Sequence, residues 1–167
     1  MLLLVETVCQ KTRFFCTIVY ASNSGIERRK LWKELGSYKQ VTNGTAWVIL
    51  GDFNVTLEVN EHSNGTSVHS NDMIEFKNCV EEVEIDDLLS SGFQFTWTKS
   101  LRNPNCKTLK KLDRIMVNEY FLDIFRTAHS VFLPYIISDH SPAVLIIPKG
   151  GFFTSGQDRM GEKNCWF

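Results

Sequence analysis

The chain has 167 residues, 43 % of them hydrophobic, which is enough for one domain with a substantial core. Eighteen Lys and Arg against nineteen Asp and Glu leave a formal charge of −1, which argues against a dedicated non-specific nucleic-acid binder but not against an enzyme that grips phosphates locally. Five cysteines (Cys9, Cys16, Cys79, Cys106, Cys165) contain no CxxC and read as reduced thiols; no two Cys or His show zinc-ligand spacing.

The chain opens inside an apolar strand, Leu2 to Val8, and a second β-type run, Phe14 to Tyr20, follows across Gln10–Arg13 as a hairpin. Met1 to Val5 is too short for a signal segment, nothing approaches a membrane span, and the N-x-T triplets at Asn43, Asn54 and Asn64 are chance matches. The expectation is an intracellular protein, nuclear or cytoplasmic, not secreted and not membrane-bound. After a polar loop comes an amphipathic helix of about three turns with Ile26, Leu31, Trp32 and Leu35 as its stripe, flanked by Arg28, Arg29, Lys30 and Lys33 and ended by Gly36 or the Gly44 turn. Trp47 to Leu50 is a buried strand broken by Gly51.

Beyond that break, Asp52 and Asn54 are expected to share one surface while Phe53 anchors the other side, because i and i+2 point the same way in extended chain. Polar groups past the carboxyl end of a buried strand are where open α/β sheets place ligands. Residues 58–70 read as a surface loop, and Asn71 as the cap, without a capping box, of a helix buried through Met73, Phe76, Cys79 or Val80, and Val83. Phe93 to Thr98 alternates like a strand. Leu112 to Val117, Ser130 to Leu133 and Ala143 to Ile147 are further strands, with Asn118 capping a short helix between the first two. Strands alternating with helices make the chain α/β, as one domain over residues 1–148 with an irregular tail over 149–167.

Polar groups cluster at strand ends and loops: Tyr20 with Asn23, Asp52 with Asn54, Asp113, and Ser138-Asp139-His140. Carboxylates, an amide, a phenol and an imidazole suit phosphodiester chemistry, since hard oxygens hold Mg²⁺ and a carboxylate or imidazole moves protons. Adjacent on a strand, Asp139 and His140 would face opposite ways unless a turn at Ser138 and Pro142 re-aims them. Asp113 could equally pair with Lys110, Lys111 or Arg114. Trp97 could stack on a base or sit in the core, and Arg102, Lys107, Lys110 and Lys111 could track a DNA backbone or be solvated. His62, His69 and His129 belong to no motif.

GDFN at Gly51–Asn54, FTWT at Phe95–Thr98, LDRI at Leu112–Ile115 and SDHSP at Ser138–Pro142 occur in the order of the endonuclease/exonuclease/phosphatase superfamily. With VYASN at Val19–Asn23 and RRKLW at Arg28–Trp32, the chain resembles the apurinic-type endonuclease domain of plant non-LTR (LINE-type) retrotransposon polyproteins, over roughly Phe14 to Pro148. The resemblance implies a DNase I-like four-layered α/β sandwich, here partial, with mixed sheets and flanking helices. It implies DNA as partner and Mg²⁺ as cofactor. Tyr20 and Asn23 resemble residues that touch the scissile phosphate, and Thr96 matches a position near the site. Asp52 resembles the carboxylate that activates water or protonates the leaving oxygen, and Asn54 the amide that orients the phosphate. Asp113 resembles the carboxylate that holds the imidazole of His140, and Asp139 a metal-associated carboxylate.

One departure matters. In the family an early strand supplies an Asn and the next a Glu that is the main metal ligand; both precede the segment aligned with Leu2–Tyr20. Glu6 is the only acidic residue before Tyr20 and does not sit in that motif. The expectation is the carboxyl-terminal portion of a reverse-transcriptase-associated nuclease, inactive alone. The alternatives are a non-catalytic nucleic-acid-binding or interaction module, or a phosphatase of the same superfamily. Unpaired strands would leave an apolar face or edge prone to self-association.

Overall fold

The computed structural model describes residues 1–7, 11–65, 68–102 and 108–148. The irregular tail, Lys107, Cys9, Cys106 and Cys165 lie outside the described residues. Two apolar runs meet as expected: β1 (Leu2–Glu6) and β2 (Arg13–Tyr20) pair antiparallel. Helix α1 (Gly25–Thr42) then crosses over to β3 (Trp47–Asp52), which lies parallel to β2. A five-stranded mixed sheet results, in the order β1-β2-β3-β8-β4, where β4 is Asp86–Asp87 and β8 is Asp113–Val117. A second sheet, β10-β9-β5, joins Ala143–Ile146, His129–Phe132 and Ser90–Gly92, and a ribbon pairs β6 (Trp97–Thr98) with β7 (Leu109–Lys110).

The alternation of each strand divides the core in two. Trp47, Ile49, Val19 and Met116 face α1 and α2 (Asn71–Val83), where Trp32 stacks on Phe76 at 5.0 Å and Phe53 lies 5.1 Å from Phe76. Phe14, Val48, Ile115 and Val117 face the other way, toward α3 (Glu119–Ile124) and Leu145 of β10. The architecture is the expected α/β one, mixed sheets with helices on the flanks.

Several local expectations change. Gly51 does not break the central strand; it lies inside β3 at φ 138, and a Cβ there would come within 1.9 Å of the Val19 carbonyl oxygen. Only glycine lets β2 and β3 approach so closely, and the strand continues one residue to Asp52. Helix α1 runs 18 residues, longer than three turns, and of its two expected ends reaches the turn at Gly44. Its stripe is shifted: Ile26 is exposed, whereas Arg28 is buried on Asp72 and the carbonyls of Ser22 and Asn23. Ser70, not Asn71, caps α2, its hydroxyl accepting from the Met73 amide. The loop at 58–70 contains a 3₁₀ turn, Val59–Glu61, closed by a capping box between Glu58 and Glu61. Of Phe93 to Thr98 only Trp97–Thr98 is a strand; the pairing with β9 goes instead to Ser90–Gly92. The α2 face and the Asn118 cap are as expected.

Candidate active site

Register places the site. Tyr20 at the end of β2 pairs with Asp52 at the end of β3, and Asp52 pairs with Asp113 at the start of β8. Residues paired across a sheet project from the same face, so one row crosses three strands at one end of the sheet, on the side of the second sheet. His140 arrives from the loop before β10 and stands opposite Trp97 in an isolated antiparallel bridge. One ligand atom from each of Asp52, Asp113 and His140 lies within 4.8 Å of the others, though 88 residues separate the first from the last.

Each member is held by the chain around it. Asn54 reaches the site by a turn, not by strand alternation: with φ 51, its amide N–H donates to Asp52 Oδ1 at 2.8 Å. Its side-chain Nδ2 donates to Asp52 Oδ2 at 3.0 Å and to the Ala21 carbonyl at 2.7 Å. Phe53 between them is fully buried, as expected. The re-aiming turn before His140 is also present, with the Ser138 hydroxyl accepting the His140 amide at 3.1 Å. Asp113 Oδ2 and His140 Nδ1 lie 2.9 Å apart, so the partner of Asp113 is the imidazole and not Lys110, Lys111 or Arg114.

Thr96 is fully buried beneath this pair. Its hydroxyl oxygen accepts from the amides of Leu112 at 2.9 Å and Asp113 at 2.8 Å, while its carbonyl accepts from the Ser141 amide. It therefore ties the strand carrying Asp113 to the loop carrying His140, and its hydroxyl serves both backbone and the Asp113 carboxylate. Asp139 is exposed; its Oδ2 accepts the indole N–H of Trp97 at 3.1 Å. Tyr20 projects into solvent from the end of the row. Asn23 lies in the exposed loop beyond β2, where its backbone carbonyl binds Arg28.

The electrostatics follow from three carboxylates around one imidazole. Burial raises the Asp52 pKa, with the Asn54 amide opposing and the charge of Asp113 adding to the rise. Burial likewise raises Asp113, against the stabilising hydrogen bonds from His140 and Thr96. For His140 burial disfavours the charged form, but the Asp113 hydrogen bond and the charges of Asp113, Asp52 and Asp139 outweigh it, and its pKa is raised. Two further residues belong here. The indole of Trp97, from the FTWT motif, fixes Asp139, and Tyr135, which no motif marked, donates its hydroxyl to the Phe95 carbonyl; burial, with the charge of Asp113 adding to it, raises its pKa.

No protein-family model matches the chain, and no curated protein sequence matches it. Solved structures do. A 3′ phosphatase, NExo, from Neisseria, bound to product DNA hairpin, matches at TM-score 0.62 and 17 % identity over 85 % of this chain and 62 % of its own. The endonuclease domain of TRAS1, a telomere-specific non-LTR retrotransposon, matches at TM-score 0.60 and 11 % identity over 86 % and 62 %. Beta toxin from Staphylococcus aureus, with bound magnesium ions, matches at 0.55 and 19 % over 86 % and 56 %. The chain thus spans less than two thirds of the length of each. These neighbours are members of the endonuclease/exonuclease/phosphatase superfamily, and the chain has their DNase I-like fold.

Proposed function

We propose that the chain carries the acid–base part of a metal-dependent phosphodiesterase site of the retrotransposon-endonuclease kind, with DNA as its substrate class. The observation that carries this is the convergence of Asp52, Asp113 and His140 within 4.8 Å. An imidazole held by one carboxylate and facing a second is a proton carrier beside an acid–base carboxylate. Asp113 orients and charges His140, which would meet a phosphoryl oxygen, Asp52 would move the proton of water or leaving group, and Asn54 would orient the phosphate. Tyr20 and Asn23, on the exposed rim, are proposed to touch the substrate strand. Thr96 acts by positioning Asp113.

The donor set fits a hard dication. Three carboxylates against one imidazole leave negative charge in excess, felt as the upward push of Asp113 and Asp139 on Asp52. Asp139 is the carboxylate proposed to hold Mg²⁺ beside the Asp52–Asp113–His140 group, since the ion takes only one or two protein carboxylates. Bound there, the ion would neutralise phosphoryl oxygen charge. Glu6 adds nothing to it: it faces Arg13 and Lys11 at the opposite end of β1 and β2 from the Tyr20–Asp52 row. On this reading the 167 residues bind poorly to metal and do not turn over by themselves.

Incubating the chain with Mg²⁺ and either supercoiled plasmid or duplex containing an abasic site is expected to give no cleavage. Robust cleavage, lost in Asp52→Ala and His140→Ala, would overturn the inactive part of the proposal and leave the site assignment standing. Release of phosphate from 3′-phosphorylated DNA in place of strand cleavage would favour the phosphatase alternative. Binding to DNA that weakens with salt and survives both substitutions would favour the non-catalytic one.

A further inference from the structure

Asn54 forms part of the wall of a cavity of about 330 Å³, which extends from it under the loop after β3 toward β7 and the start of α2. Its charges are unequal. Arg28 is committed to Asp72 at 2.6 Å and to two carbonyls. The carboxylates nearby are spoken for as well, Glu58 by Lys77 and His69, and Glu61 by Arg114 and Lys111. Lys110 has no acidic partner among the described residues; its ammonium lies 5.7 Å from the centroid of the Trp97 ring. Across a backbone bridge from Lys110 stands His62, whose Nδ1 accepts the Asn64 amide at 3.1 Å, so that Nε2 carries the ring proton. Burial and the Lys110 charge both depress the His62 pKa. Two N–H donors, one of them charged, thus line a cavity whose one carboxylate, Asp72, is already paired with Arg28, and Asn54, which hydrogen-bonds Asp52, is common to its wall and to the neighbouring site.

We propose that this cavity is a second anion subsite, which takes a phosphate of the same nucleic-acid strand, next to the one held at Asp52 and His140, on the Lys110 ammonium and the His62 Nε2–H. The proposal rests on the phosphodiester reading of the neighbouring site, and the two imidazoles allow each to be followed separately. In the whole chain the His62 and His140 ring signals are followed by NMR during titration with inorganic phosphate, with a thymidine dinucleotide (one phosphate) and with a trinucleotide (two).

The trinucleotide is expected to move both rings and to bind about tenfold tighter than the dinucleotide, which moves chiefly His140. Lys110→Met should remove that advantage and the His62 response while leaving the dinucleotide affinity and the melting temperature unchanged; Lys110→Arg should restore the advantage, and Lys99→Met on the same ribbon should not affect it. If His140 answers both oligonucleotides and His62 neither, the subsite is refuted and the phosphodiester site stands. If inorganic phosphate occupies His62 as tightly as the trinucleotide, the cavity is an independent anion site and the strand-tracking role is refuted. Movement of His62 alone would refute the phosphodiester reading, and with it this one.

Discussion

The side chains that matter most act through a few hydrogen bonds, and the Asp113–His140 pair has the clearest consequence. Its imidazole has a pKa above the ordinary 6.5 because the carboxylates around it outweigh the cost of burial. A group that binds its proton more tightly when folded stabilises the fold fully below its unfolded value, and that contribution fades as pH rises through the folded one. Stability should therefore decline from about pH 6.5 upward through the raised value of His140. Burial of Asp52 and Asp113, which also raises their pKa values, acts in the same direction at lower pH. Asp113→Asn is expected to lower the His140 pKa and flatten the slope above pH 6.5, read by NMR titration and by melting at several pH values. An unmoved His140 would mean that the contact is not what charges the ring.

Thr96 makes a sharper structural claim. Replacing it by Val keeps the shape but strips the acceptor from two amides, Leu112 and Asp113. A buried amide left unpaired costs about 1–3 kcal/mol, so Thr96→Val should destabilise by about 2–4 kcal/mol in urea unfolding, and Thr96→Ser much less. The residue types of the site were legible because its motifs kept their order along the chain. Less legible was how they meet: the left-handed turn at Asn54, the Trp97 indole on Asp139, and a Thr96 hydroxyl shared between two amides and the Asp113 carboxylate, all set by neighbours distant in sequence.

Among elements, α2 could be read from its sequence because its buried residues, Met73, Phe76, Cys79, Val80 and Val83, follow helical period without interruption. The extent of helix α1 was less legible, because Gly36 sits mid-way and the second half has few apolar residues, leaving its end open between Gly36 and Gly44; packing on α2 and the sheet carries it to Thr42. That glycine is a cost without a contact to justify it, since a Cβ would meet only Glu82 Oε1 at 4.0 Å. Gly36→Ala should stabilise by about 0.5–1 kcal/mol and raise the melting temperature by about 2 °C. No change, or a fall, would place α1 under a constraint that its contacts do not reveal. Buried arginines were illegible for a different reason. Arg28 reaches Asp72 across 44 positions, and Arg114, fully buried, reaches Glu61 across 53 and also Asp87. Neighbouring residues in sequence carry no trace of such pairings.

At the scale of the whole molecule, alternation of strands and helices was enough to name the class, and register supplied what it lacked, the row from Tyr20 to Asp113. The same register leaves one side of the main sheet under-covered. Leu3 and Ile18 lie on the face shared with Phe14 and Val48 but are 38 % and 45 % exposed, and Leu4 on the edge strand is 58 % exposed. β1 is the first strand of its sheet, so its outer backbone groups have no partner strand among the described residues. An apolar edge with free ladder groups is a template for pairing with another chain.

Covering even about 400 Å² of apolar surface would be worth about 10 kcal/mol, before the cost of association, comparable with the full stability of a typical domain. Self-association in the micromolar range is therefore expected, through β1 and the adjoining face. Sedimentation velocity should show a weight-average mass rising with concentration above the 19.2 kDa monomer. Leu4→Lys, which places a charge on the edge without touching the Tyr20–Asp113 row, should return the chain to a monomer and leave the His140 titration intact. If the wild type stays monomeric at high concentration, the edge is protected by something other than a second copy. If Leu4→Lys associates as strongly as the wild type, the contact lies elsewhere on the surface.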